Sequence, residues 1–136
     1  MHTTMTTELY WLVMTTLMTA LLWVPYILNR MKEMGVWPAV WNPHPDPRPK
    51  AQWAERLMRA HANAVENLVI FAPLVLALHV LGLNTTSTAT ASVVYFAVRV
   101  AHVILYTFAI PLLRTVAFFV GFSCQMTLAL TLLRVI

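Results

Sequence analysis

The sequence predicts an all-α integral membrane protein, built as one domain over residues 1–136 from an up-and-down bundle of four transmembrane helices. Of the 136 residues, 60% are hydrophobic and 10% are charged, whereas charged residues make up about a quarter of a soluble domain. Spanning a bilayer takes about 20 predominantly apolar residues. Four stretches meet that requirement, residues 9–28, 63–83, 89–110 and 112–135.

The basic residues predict how the bundle is oriented. The first loop, residues 29–59, is rich in Lys and Arg, and the second, residues 82–90, carries no charge. By the positive-inside rule we expect the first loop in the cytoplasm and both termini outside. The net charge of +4 does not indicate a nucleic-acid partner, because the basic residues form no continuous run.

The first loop is expected to contain two kinds of structure. Prolines at positions 43, 45, 47 and 49 exclude a helix there and favour an extended segment. Residues 51–58, which follow, are predicted to be helical. The second helix should therefore begin in water and continue into the membrane.

Two helices carry polar stripes at the spacing of one helix face. The stripe on the second helix falls within an arc of about 100° at the expected cytoplasmic end and consists of Arg56, Arg59, Asn63, Glu66 and Asn67. The stripe on the third helix has offsets of three and seven residues and consists of Arg99, His102 and Tyr106. We expect the second and third helices to face each other through these stripes.

A charge inside a membrane needs a partner, because it costs roughly 2.5–3.5 kcal/mol on insertion scales. Arg99 should therefore pair with Glu66, the one acid expected within the membrane. The other acids are expected in or near water, and they are Glu8, Glu33, Asp46 and Glu55.

Polar stripes have two interpretations. They can bind helices together where no hydrophobic effect acts between them, or they can form a ligand site. The excess of arginines at one end favours a ligand with a carboxylate, since guanidinium groups match carboxylates, while Glu66 could meet an ammonium group. Arg114, which opens the fourth helix, adds another cation there. The sequence contains no metal-ligand spacing and no glycine-rich phosphate loop.

Three segments resemble a known family. Residues 55–66, ERLMRAHANAVE, resemble the signature of the membrane-associated proteins in eicosanoid and glutathione metabolism, the MAPEG family. Residues 99–102, RVAH, with Tyr106 one turn later, are similar to the third helix of the prostaglandin E synthase branch. Arg114 and Thr115 resemble that branch's arginine and serine at the start of the fourth helix, and Phe118 stands where the branch has a tyrosine.

The resemblance implies a homotrimer that binds glutathione between neighbouring subunits. It implies that Arg114 stabilises the glutathione thiolate and that Thr115 keeps the hydroxyl of the family's serine. It also places an arginine at the position of Arg30. Together with the stripes, this gives a predicted glutathione-binding set that consists of Arg30, Arg56, Arg59, Asn63, Glu66, Arg99, His102 and Tyr106.

The resemblance implies one of two functions. The first is that of a glutathione transferase or glutathione-dependent peroxidase acting on hydrophobic electrophiles from the bilayer. The alternative is a noncatalytic lipid-binding or partner-binding membrane protein of the same fold, since the family includes such a member.

Overall fold

The computed structural model describes residues 4–41 and 48–136, and every regular element in these ranges is an α-helix. The helices are α1 (Thr7–Leu21), α2 (Trp23–Met34), α3 (Val36–Trp41), α4 (Gln52–Leu81), α5 (Thr86–Thr107) and α6 (Leu113–Leu132). Four spans are long and apolar enough to cross a membrane, namely Thr7–Met34, Gln52–Leu81, Thr86–Thr107 and Leu113–Leu132. The prediction of an all-α integral membrane protein is confirmed.

The first span is interrupted once, where α1 meets α2. Leu22 separates the two helices but keeps right-handed helical angles, φ −65° and ψ −21°. Pro25 explains the interruption, because a proline has no backbone N–H and leaves the carbonyl four residues earlier, on Leu21, without its helical partner. α1 and α2 therefore cross the membrane as one span with a break.

We call one end of the bundle the polar end: α2 and α5 end there, and α4 and α6 begin there. There, the Glu33 carboxylate accepts hydrogen bonds from the backbone N–H groups of Lys50 (3.1 Å) and Ala51 (2.9 Å). Ala51 precedes α4 and has no side chain that could cap it, so a carboxylate from α2 supplies acceptors at this helix start. α4 then begins ahead of the apolar stretch, as predicted.

Three of the four prolines predicted to be extended, at positions 43, 45 and 47, lie outside the described residues, as does Asp46. Pro49 lies in the non-helical stretch directly before α4.

The turn between α5 and α6 is longer and more strained than the sequence predicted. α5 ends at Thr107, three residues before the expected limit, and α6 begins at Leu113. Within the turn, Ala109 (φ 57°) and Leu112 (φ 62°) adopt positive φ angles that cost residues with a side chain free energy. A strained turn thus precedes Arg114.

The interior of the bundle is layered along the length of the helices. The larger apolar cluster, far from the polar end, includes Phe71, Val75, Tyr95 and Leu128. The smaller cluster lies near the polar end and consists of Leu57, Ala60 and Val103. Residues between these clusters in sequence, on α4 and α5, form a polar layer.

Glu8 lies in an environment different from the one expected from the sequence. It was expected in or near water, but only 2% of its surface is exposed, and its Oε1 accepts a hydrogen bond from the Thr88 hydroxyl at 2.6 Å. The cause is the packing of α1 on α5, which places Glu8 beside the first turn of α5, where the helix dipole favours a negative charge.

Candidate functional site

Arg99 is the centre of the polar layer. Only 1% of the surface of Arg99 is exposed, and its Nη2 donates a hydrogen bond to Oδ1 of Asn63 at 2.6 Å. Its Nε has no hydrogen-bond partner among the described residues. The predicted facing of the second and third helices is confirmed by this bond between α4 and α5.

The layer continues into α6 through Gln125, one of two residues that sequence reasoning missed. The Asn67 amide donates to the Asn63 carbonyl (2.9 Å), and the Gln125 amide donates to the Asn67 carbonyl (3.2 Å). Gln125 also lies 3.5 Å from the Tyr95 hydroxyl. The sequence could have indicated both missed residues as members of the polar layer. Gln125 is the one amide side chain in α6, and Tyr95 extends the stripe of α5 by one turn.

The predicted ion pair between Arg99 and Glu66 is wrong. The partner of Arg99 in the described chain is the amide of Asn63, and within the same part of the chain no ion pair joins Arg99 to an acid. Glu66 is exposed on the outside of the bundle.

The rotation of α4 about its axis explains why Glu66 turns away. At about 100° per residue, the buried side chains of α4 centre about 60° beyond Asn67 and about 160° from Glu66. The predicted stripe is about 100° wide, so it cannot all face the neighbouring helices. Asn63, Asn67 and Arg56 contact α5 or α6, whereas Glu66 and Arg59 lie on the outer side.

Arg56 binds the end of α5. Its Nε donates to the Thr107 carbonyl at 2.7 Å. Thr107 is the last residue of α5, where carbonyl groups lack helical partners and a positive charge is favoured. Arg56 therefore anchors the strained turn that leads to Arg114.

Arg114 and Tyr106 meet at the polar end. The guanidinium carbon of Arg114 lies 4.9 Å from the centroid of the Tyr106 ring, in range for a cation–π interaction. The centroids of the His102 and Tyr106 rings lie 5.7 Å apart, and Nδ1 of His102 is buried with no hydrogen-bond partner in the described chain. Phe118 lies 6.4 Å from the His102 ring and brings no hydroxyl to it. The structure thus joins three predicted residues of α5 and α6 in one cluster.

Arg59 lies in a different place, on the outer side of α4. Its Nη2 is 3.0 Å from Oε1 of Glu55, and its side chain is 67% exposed. It borders a groove of about 350 Å³, whose other lining residues are Arg48, Pro49, Glu55, Met58 and Ala62. The groove combines guanidinium groups with an apolar floor, a surface suited to a small ligand that carries a carboxylate.

The two remaining predicted residues are placed as follows. Arg30 is partly buried in α2, which packs on α4. Thr115 is exposed beside Arg114 in the first turn of α6.

A search among curated proteins found no match. A sequence model of the MAPEG family matches residues 9–134, nearly the whole chain. Together with the four membrane spans and the arginine-rich polar end, this match shows that the chain belongs to the MAPEG family.

Proposed function

We propose that this protein is a membrane-bound glutathione transferase or glutathione-dependent peroxidase acting on hydrophobic electrophiles. The observation that carries the proposal is the position of Arg114, whose guanidinium lies over Tyr106 in the first turn of α6, at an N-terminus that no side chain caps. A guanidinium and the N–H groups of a helix start both stabilise an anion.

The residues at the polar end fit glutathione as the ligand. Glutathione has two carboxylates and one ammonium group. Arg59 brings a guanidinium to the groove of about 350 Å³, and Glu66, on the same outer side of α4, offers an acceptor to the ammonium group.

The chain's part in the chemistry is to favour the thiolate. Bound glutathione supplies a sulfur that bonds to the electrophilic carbon while the leaving group departs with its electron pair, or two glutathiones reduce a hydroperoxide to an alcohol and water and form a disulfide. Arg114 lowers the pKa of the thiol, because a nearby positive charge stabilises the thiolate. Hydrophobic substrate reaches the polar end from the bilayer.

The proposal includes a homotrimer. Glu66 is exposed on the outside of α4, and a charge facing lipid at this depth costs a few kcal/mol, roughly 2.5–3.5. A symmetry-related copy that packs on this side of α4 removes the charge from lipid and closes the Arg59 groove. The number of copies follows from the family resemblance, and mass measurement of the detergent-solubilised protein tests it. A stable monomer that bound glutathione would refute the trimer.

The proposed orientation places the polar end in the cytoplasm. The basic residues of the first loop support it through the positive-inside rule.

One observation favours the alternative, a noncatalytic lipid-binding or partner-binding protein. Asn63, Asn67, Arg99 and Gln125 bind one another inside the bundle, which is how polar residues hold membrane helices together without a ligand. This part of the stripe therefore does not argue for catalysis.

The test is an activity assay in detergent. Wild-type protein should conjugate glutathione to a chromogenic aryl halide or reduce a lipid hydroperoxide. Arg114→Ala should lower turnover roughly 10²-fold, which is the effect of removing one preorganised hydrogen-bond donor from other enzyme active sites. Arg134→Ala is the matched control, because Arg134 is exposed beyond the far end of α6. Absence of both activities together with absence of glutathione binding would support the alternative.

A further inference from the structure

The short helix α3 presents an apolar surface that the rest of the described chain leaves uncovered. The exposed fractions are 63% for Val36, 64% for Trp37, 58% for Val40 and 64% for Trp41. At about 100° per residue these four side chains share an arc of about 140°. The two indole rings stack, with centroids 4.8 Å apart and planes 25° apart. Ala39, on the opposite side, is partly buried.

The attachment of α3 fixes its level relative to the membrane. The first span, Thr7–Met34, has 28 residues, about 42 Å of helix at 1.5 Å per residue. That length exceeds the hydrocarbon core, about 30 Å, and approaches the full bilayer, about 40–45 Å. Met34 therefore lies among the headgroups, and α3 begins two residues later.

Gly35 sets the direction in which α3 leaves the span. Its angles, φ 87° and ψ 158°, fall near a region that is essentially restricted to glycine. α3 contacts α2 and so lies at the edge of the bundle, where the structure meets lipid.

We propose that α3 is an interfacial helix that lies in the plane of the leaflet where α2 ends, with Val36, Trp37, Val40 and Trp41 at the boundary between headgroups and acyl chains. The proposal does not depend on glutathione chemistry.

Three observations favour the bilayer as the partner. Residues 34–41 carry no charge, while Lys32 and Lys50 nearby are exposed and suit anionic headgroups. Trp is enriched at the membrane interface, because its ring is apolar and its N–H is polar. A six-residue helix is too small to supply alone the roughly 800 Å² per partner of a stable protein interface.

The test uses tryptophan fluorescence in phosphatidylcholine vesicles. The variant W11F/W23F/W53F keeps Trp37 and Trp41. Lipids brominated near the headgroup should quench its emission more strongly than lipids brominated near the chain end. Acrylamide, a quencher dissolved in the water, should quench it weakly. The control W11F/W37F/W41F/W53F keeps Trp23, which is 47% exposed and deeper in the span, so its emission should be lost more with bromine near the chain end.

Two outcomes would overturn the proposal. Strong quenching of Trp37 and Trp41 by acrylamide alone would place α3 in water, and protection from both quenchers would mean that another protein surface covers it. If the tryptophan variants fail to fold, Val40→Cys can carry an environment-sensitive dye, since Cys124 is buried. The dye should report an apolar environment in vesicles, unlike the same dye on Lys50→Cys, and equal emission from the two would also overturn the proposal.

Discussion

The polar stripe of α4 consists of an inner half and an outer half with different surroundings. The inner half is Arg56, Asn63 and Asn67, each bonded to another residue within the bundle. The outer half is Arg59 and Glu66, which are exposed. Arg56 and Arg59 are the same residue type three positions apart, yet one holds the end of α5 at 2.7 Å and the other borders an open groove.

The difference shows that a polar stripe in a membrane helix is not a site by itself. Residues on the side of the apolar clusters form hydrogen bonds that hold the helices together. Residues turned away from those clusters take no part in helix packing. Arg59 pairs with Glu55 of its own helix at the surface, and the exposed charge of Glu66 calls for a ligand or another subunit. The inner half should therefore control stability, and the outer half should control binding.

The largest expected effect on stability is that of Asn63→Ala. This change removes the acceptor of Arg99 Nη2 and leaves a buried guanidinium unsatisfied, so the free energy of unfolding should fall by about 3 kcal/mol. Unfolding in mixed detergent micelles, followed by circular dichroism, measures it. Arg59→Ala is the matched control and should change stability by less than about 0.5 kcal/mol, because its pair with Glu55 is a surface salt bridge. Equal effects of the two variants would abolish the distinction between the halves.

The next effect is on binding. Arg59→Ala should raise the dissociation constant of glutathione about tenfold, equivalent to about 1.4 kcal/mol, because it removes a guanidinium from the groove. Isothermal titration calorimetry measures the affinity, and Arg134→Ala is the control. Unchanged affinity in Arg59→Ala would show that the groove does not hold glutathione.

The smallest of the three effects is expected at Arg56. This residue tests the difference between the inner and outer halves, because the sequence predicted that it binds glutathione. Arg56→Gln should lose the bond to the Thr107 carbonyl and destabilise the bundle by about 1 kcal/mol. Since the turn before Arg114 is loosened, turnover should fall while glutathione affinity stays near wild type. Arg56→Lys, which keeps a cation at the end of α5, should recover part of both losses. A drop in affinity equal to that of Arg59→Ala would place Arg56 in the ligand site instead.

The sequence predicted the four spans, and stripe spacing predicted that α4 faces α5, which the bond between Asn63 and Arg99 confirms. It could not predict which half of the stripe faces inward, because that depends on how side chains such as Leu57 and Phe71 pack against other helices. The same limit explains the wrong pairing of Glu66: a 100° arc is compatible with several rotations of α4.

Other features depend on contacts between distant segments. Glu8 is at the start of the first span, and its burial follows from the position of Thr88, which is far away in sequence. The exposed positions of Arg59 and Glu66 are likewise a result of tertiary packing. For those two residues the role in glutathione binding stays a prediction.

The most direct test of the proposed function is the ultraviolet absorbance of the thiolate of bound glutathione, followed against pH in wild type and Arg114→Ala. In wild type the thiolate signal should appear well below the ordinary pKa of a thiol, because the guanidinium of Arg114 stabilises the anion. In Arg114→Ala the signal should move to higher pH, while the affinity measured separately stays within a few-fold of wild type. If Arg114→Ala kept the thiolate signal and full turnover, Arg114 would be an ordinary interfacial charge and the proposed mechanism would be wrong.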